Sequence, residues 1–126
     1  MIRIKTAKQI AGIRRSCRLL AEVLEILEDS VEPGITTSDL DDIARREIKK
    51  LGGKPAFLGY QGFPGALCTS TNEEVIHGIP GPRRLTEGDV VSIDCGIEYE
   101  GYYSDSALTV PVGTVSPEID RLLSVT

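Results

Sequence analysis

From about Thr6 to Val31, apolar residues recur at alternating steps of three and four: Ile10, Ile13, Cys17, Leu20, Leu24, Leu27 and Val31. Arg14, Arg15, Arg18, Glu22, Glu25 and Glu28 fall between them. That period predicts a long amphipathic helix. Pro33-Gly34 stops it after about three heptads, which favours packing on a sheet over a coiled coil. Thr36 and Asp39 then have capping-box spacing, with Asp in place of the preferred Glu. A second helix is expected, buried through Leu40, Ile43, Ala44, Ile48 and Leu51. Lys49 and Lys50 suit its C-terminal dipole, and Gly52-Gly53 ends it.

Beyond Lys54-Pro55 the helical period is lost. The Gly- and Pro-rich stretch 52–65 reads as a connection, and it carries Tyr60 and Phe63. Aromatic residues in such a loop either cover a sheet edge or wall an apolar pocket. Leu67 to Asn72 reads as a strand, and Glu74 to Ile79 as a second, short one ending at Pro80.

The strongest β signal runs from Asp89 to Val112 and reads as one hairpin. Val90, Val91, Ile93, Ile97 and Tyr99 supply its first strand; Tyr102, Tyr103, Leu108, Thr109 and Val110 supply its second. Glu100-Gly101 suits a two-residue turn, with Gly providing positive φ. If Tyr99 pairs with Tyr102, Gly96 lies opposite Asp105, and Asp94 shares their face. The two carboxylates are then diagonal neighbours, with Cβ atoms roughly 7 Å apart, over a space that Gly96 leaves empty. Such a pair repels unless it is protonated, solvated or neutralised by a cation. Both Asp residues interrupt strand interiors beside Gly, which favours the cation over a merely solvent-exposed face.

Near the end, Ser116-Pro117-Glu118 starts a third helix, with Ser as cap and Pro at its first position. Its apolar stripe of Ile119, Leu122, Leu123 and Val125 stops at Thr126 without a C-cap or a partner. The expectation is a chain cut within a larger domain.

Composition narrows the partners more than the fold. A length of 126 residues, 40% of them hydrophobic, suits one modest domain. Fourteen basic residues are interspersed with nineteen acidic ones for a net charge of −5, so no basic face recommends nucleic acid or an anionic membrane. No apolar run is long enough to span a bilayer, and MIRIKTAKQI lacks a signal-peptide core, so a cytoplasmic protein is expected. Cys17, Cys68 and Cys95 are odd in number and widely spaced, and are expected to be reduced. His77 is the only histidine, which excludes an H-E-x-x-H zinc motif within the chain. A lone histidine more often makes a structural hydrogen bond than performs chemistry.

Two helices, a Gly-Tyr loop, NEEVIHGIP, GDVVSIDCG and GYYSDSALTV follow one another in an order that resembles the type I methionine aminopeptidases, within the pita-bread family of metallo-aminopeptidases and prolidases. The resemblance covers the whole chain. It implies an α+β fold, half of a pita-bread domain: two N-terminal helices packed on an antiparallel sheet that carries the metal-ligand hairpin. Residues 1–126 would form the N-terminal half of the catalytic domain. The implied activity is removal of the N-terminal methionine from nascent proteins by a two-metal enzyme. Asp94 matches the bidentate ligand of one metal, and Asp105 the ligand bridging both. His77 matches the histidine that contacts the substrate near the scissile amide and assists the reaction there. Tyr60, Phe63 and Cys68 match walls of the methionine side-chain pocket, although tyrosine is common in the family at the place of Phe63.

The family also uses a further metal-binding His, two Glu ligands and a second substrate-contacting His, which this chain lacks. Alone, the chain is therefore expected to bind divalent metal weakly or not at all and to be inactive. Which metal the complete enzyme takes (cobalt, manganese, iron, zinc or nickel) is open at this level. The expected substrate is an N-terminal methionyl peptide, with no nucleic-acid or membrane partner. A homodimer replacing the missing half is the simplest closed assembly. The alternative reading is a non-enzymatic half-pita-bread module that binds peptide termini or a protein partner.

Overall fold

The computed structural model describes residues 2–126. Helix α1 (Ala7–Ser30) begins with a capping box in which Thr6 and Gln9 satisfy each other's backbone amides. Helix α2 (Thr37–Lys50) begins with a second, made by Thr36 and Asp39. The shorter Asp side chain still reaches the Thr36 amide, at 2.9 Å. Strands β1 (Lys54–Pro55), β2 (Leu67–Thr71), β3 (Val90–Tyr99) and β4 (Tyr102–Pro111) form one antiparallel sheet, and α3 (Pro117–Val125) follows. The longest strands, β3 and β4, make the hairpin. β1 and β2 share the other edge of β3, paired with opposite ends of it.

Both long helices lie on one sheet face. Val91, Ile93, Cys95 and Ile97 of β3 point into them and meet Leu20, Leu27, Leu40 and Ile48 in a fully buried core. Burying each such side chain contributes about 1.5–3 kcal/mol, so this face holds the fold together. The alternate residues of β3, Ser92, Asp94 and Gly96, necessarily face the other way, beside Cys68 and Ser70 of β2 and Asp105, Ala107 and Thr109 of β4.

Two expectations of local structure are corrected. The buried stripe of α1 runs through Gly12, Ser16, Leu20, Val23, Leu24 and Leu27, whereas Ile10 and Cys17 are exposed. The inward surface there is set by close approach and polarity: the Tyr102 ring occupies the space a Cβ on Gly12 would need. Ser16 hydrogen-bonds Ser104 at 2.8 Å and donates to the Ile97 carbonyl at 3.2 Å. Period counting scores Gly and Ser as polar and so turns the stripe the wrong way. Residues Glu74 to Ile79 form a loop, not a strand. Glu74 folds back to accept the Thr71 amide at 2.8 Å, and His77 has φ of +59°, a value no strand accommodates.

No helix among the described residues is long and apolar enough to cross a membrane.

Candidate metal centre and pocket

The hairpin turn has Glu100 and Gly101 at φ of +50° and +80°, the left-handed pair of a type I′ turn. Its two-residue length fixes the register. Tyr99 pairs with Tyr102, Gly96 with Asp105 and Asp94 with Ala107, so both carboxylates lie on the face opposite the core. The space over Gly96 is occupied, contrary to expectation: a Cβ there would fall 2.6 Å from the Phe57 ring. Bare glycine backbone lets an aromatic ring lie flush on the sheet, and β1 brings it there, with the Ala56 amide bonded to the Gly96 carbonyl at 2.9 Å.

Asp94, Asp105, His77, Cys68, Tyr60 and Phe63 all line one cavity of about 540 Å³, together with Phe57 and Ile79. The six arrive by four routes. Asp94 and Asp105 project from the rigid hairpin, and Cys68 lies directly across from Asp94 on β2. Tyr60 and Phe63 ride a tight 3-10 turn at Tyr60–Gly62, which succeeds only because Gly59, Gln61 and Gly62 all take positive φ. Closure comes from the Gly59 amide donating to the Phe63 carbonyl at 2.8 Å and the Phe63 amide donating to the Tyr60 carbonyl at 2.9 Å. Tyr60 stands at the mouth, 68% exposed.

Sequence reasoning missed the residue that fastens this loop to the fold. Asp41, only 5% exposed on α2, accepts the Ala66 and Leu67 amides at 2.6 and 2.8 Å. Arg45 bonds the same carboxylate at 2.6 Å and reaches the Pro64 carbonyl at 2.8 Å. The i, i+4 spacing of Asp41 and Arg45 was readable, but their backbone partners lie more than 18 residues away, and no local pattern points to them. Phe57 and Ile79 were likewise missed. Only the ordinary apolar character of each was available as a signal.

The electrostatics of the cavity are uneven. Burial, followed by the negative charge of Asp105, pushes the Asp94 carboxyl up to about 6, and the nearby His77 offsets part of this. Burial first, then Asp94 and Asp105, pushes the Cys68 thiol up to about 11. Cys68 is therefore a neutral thiol at neutral pH, an apolar wall and a poor metal ligand. The carboxylate pair is a fitting donor set for a hard or borderline cation: oxygen ligands side by side, whose mutual repulsion a positive charge removes. Among the described residues no third His, Cys, Asp or Glu joins them closely enough to complete a site.

The sequence matches Metallopeptidase family M24 over residues 11–126. It is 53% identical over 125 residues to a methionine aminopeptidase of Borreliella burgdorferi, covering 99% of this chain and 50% of that protein. The crystal structure of methionine aminopeptidase from Rickettsia prowazekii superposes with a TM-score of 0.97 at 40% identity, over 100% of this chain and 51% of that one. A Xaa-Pro dipeptidase from Bacillus anthracis shares the fold at a TM-score of 0.75 and 21% identity, over 94% of this chain and 32% of that one. The chain thus spans about half the length of the curated relatives it matches.

Proposed function

Because the chain belongs to metallopeptidase family M24, we propose that residues 1–126 form the N-terminal half of a methionine aminopeptidase catalytic domain, within a pita-bread fold. Its reaction is hydrolytic removal of the first methionine from a protein chain. The observation that carries this reading is convergence: two carboxylates, the sole histidine and the aromatic and thiol walls line one cavity, although they come from four separate segments.

In this reading Asp94 and Asp105 hold the divalent metals. When bound, the metals supply Lewis-acid polarisation of the scissile carbonyl and a water acidified enough to react near neutral pH. The chain's own residues bind and orient. Tyr60, Phe63 and neutral Cys68 surround the methionine thioether, which favours aromatic edges and polarizable sulfur, and they exclude water from it. His77 donates a hydrogen bond where negative charge develops beside the scissile amide. Phe57, lying on Gly96 next to Asp105, closes the apolar side against solvent. The three free cysteines suit a reducing compartment, and the cytoplasm is where we place the protein.

Calorimetric titration with Mn²⁺ tests the reading. Two carboxylates are a sparse ligand set, so the described chain is expected to bind with a Kd of about 0.1–1 mM and to turn over methionyl peptide little or not at all. Asp94→Asn and Asp105→Asn should each abolish the binding. Metal affinity unchanged in the double variant, or methionyl-peptide turnover that survives in it, would overturn it.

A further inference from the structure

We propose that Ser70 is a positioning residue for His77, acting through a hydrogen bond to the Gly78 amide; the functional meaning of this rests on the role assigned to His77 above. His77 sits in the left-handed region at φ +59°. That conformation is unfavourable for a non-glycine residue and persists only where neighbours enforce it. Side-chain packing does not enforce it here, since Val75, Ile76, His77 and Ile79 are all exposed.

Enforcement falls to the residue that follows. The Gly78 carbonyl accepts the Thr69 amide at 2.8 Å, and the Gly78 amide donates to Ser70 Oγ at 3.1 Å. Gly78 is thereby pressed against the outer edge of β2, where a Cβ would lie 2.2 Å from the Thr69 carbonyl oxygen. Ser70 is 5% exposed and shares its sheet face with Asp94 and Cys68, so its hydroxyl is fixed by the strand that also walls the cavity. More distant pins hold the ends of the loop. Asn72 bonds Asp89 and Val90 at 2.9 Å each, and Thr37 Oγ1 bonds both backbone groups of Gly81. Neither pin reaches His77. The Ser70 bond is the side-chain contact adjacent to it, and it transmits the position of β2 to the imidazole.

Because His77 is the only histidine, its imidazole Hε1–Cε1 signal in a carbon-correlated NMR spectrum is unique and needs no assignment. In the unaltered protein a single, dispersed signal with restricted fast motion is expected, and the Gly78 amide should exchange roughly 10- to 100-fold slower than an unstructured one. Ser70→Ala should move the signal toward that of a free histidine peptide and raise its fast motion, while Ser70→Thr, which keeps the hydroxyl, restores the original position. A purely structural hydroxyl would lower the thermal midpoint and leave the His77 signal in place; that result overturns the proposal. If Ser70→Ala fails to fold, Gly78 exchange in the unaltered protein decides: an unprotected amide overturns the proposal, and a protected one supports it. Failure of the functional reading is separately visible, as Mn²⁺ binding insensitive to Asp94→Asn alongside a His77 signal that still responds to Ser70.

Discussion

Removal of the Asp41 carboxylate tests how the pocket wall is attached to the fold. In Asp41→Ala the Ala66 and Leu67 amides, now bonded to Oδ1 at 2.6 and 2.8 Å, lose their acceptor inside a buried environment. Hydrogen bonds to a charged acceptor contribute about 1.5–3 kcal/mol each, and a buried donor left unpaired adds its own desolvation cost. Arg45 also loses its partner, but it is partly exposed and can turn to water, so its share is small. Water can reach the vacated space along the Arg45 side, which offsets part of the loss. A net cost of about 3–4 kcal/mol follows, and for a domain of this size that lowers the thermal midpoint by about 10 °C.

Asp41→Asn separates the contributions. Its Oδ1 still accepts from the two amides as a neutral oxygen, so the expected cost is only about 1–2 kcal/mol. Urea unfolding followed by far-ultraviolet circular dichroism measures both, with the m-value checking that the denatured state is unchanged. A cost below 1 kcal/mol for Asp41→Ala would refute the reasoning. So would equal costs for the two variants, which would mean that charge pairing with Arg45, not acceptance from the backbone, stabilises the loop.

Asp94→Asn in metal-free buffer should act in the opposite direction. The folded-state rise from 3.8 to about 6 means that ionised Asp94 destabilises the fold. This penalty is absent below about pH 4, grows as pH rises through the folded value, and is complete near pH 7. It converts to about 3 kcal/mol at most, reduced to about 1 kcal/mol by solvent screening of an incompletely buried group. Thermal melts in chelator should show Asp94→Asn more stable than the parent at pH 7 and indistinguishable at pH 4; a loss at pH 7 would show a structural hydrogen bond instead. Thr71→Val should be neutral or stabilising by up to about 1 kcal/mol, since the fully buried Thr71 hydroxyl has no partner. Loss of more than 1 kcal/mol in urea would mean that the hydroxyl is satisfied.

The parts legible in the sequence are those with local causes. Glu100-Gly101 and the alternation on either side of it are enough to set the register, and from the register follows the placement of Asp94 and Asp105 on one face. The Thr36–Asp39 capping box could be read because its members are three residues apart, whereas the Thr6–Gln9 box, at the same spacing, was missed. What could not be read arises from contacts between distant segments. Gly12 faces inward because Tyr102, ninety positions later, needs its space, and Gly96 is covered by Phe57. His77 falls in a stretch that reads as a strand because Val75, Ile76 and Ile79 are β-rich, but that composition does not reveal that Glu74 and Gly78 bond back to β2.

Two carboxylate arrangements in this one small fold differ in how their charge is met. Asp41 has its charge met by two amides and a guanidinium, all supplied by the chain, and it stabilises what it touches. Asp94 sits among Cys68, Ala107 and a second carboxylate, and its raised titration point is the sign that the chain supplies no full compensation. A fold selected for stability alone would resolve such a pair by pairing it or replacing it, since uncompensated charge costs more than any contact it makes. Here the hairpin can carry the unresolved pair because its other face is anchored by Val91, Ile93, Cys95 and Ile97 in the helical core. The sheet whose β3 side chains pack into the helical core on one face can therefore hold two acids about one diagonal apart on the other. Asp105 is itself exposed, so solvent shares in relieving the repulsion with a proton or, under the proposed function, a cation held where the apolar walls and His77 also gather.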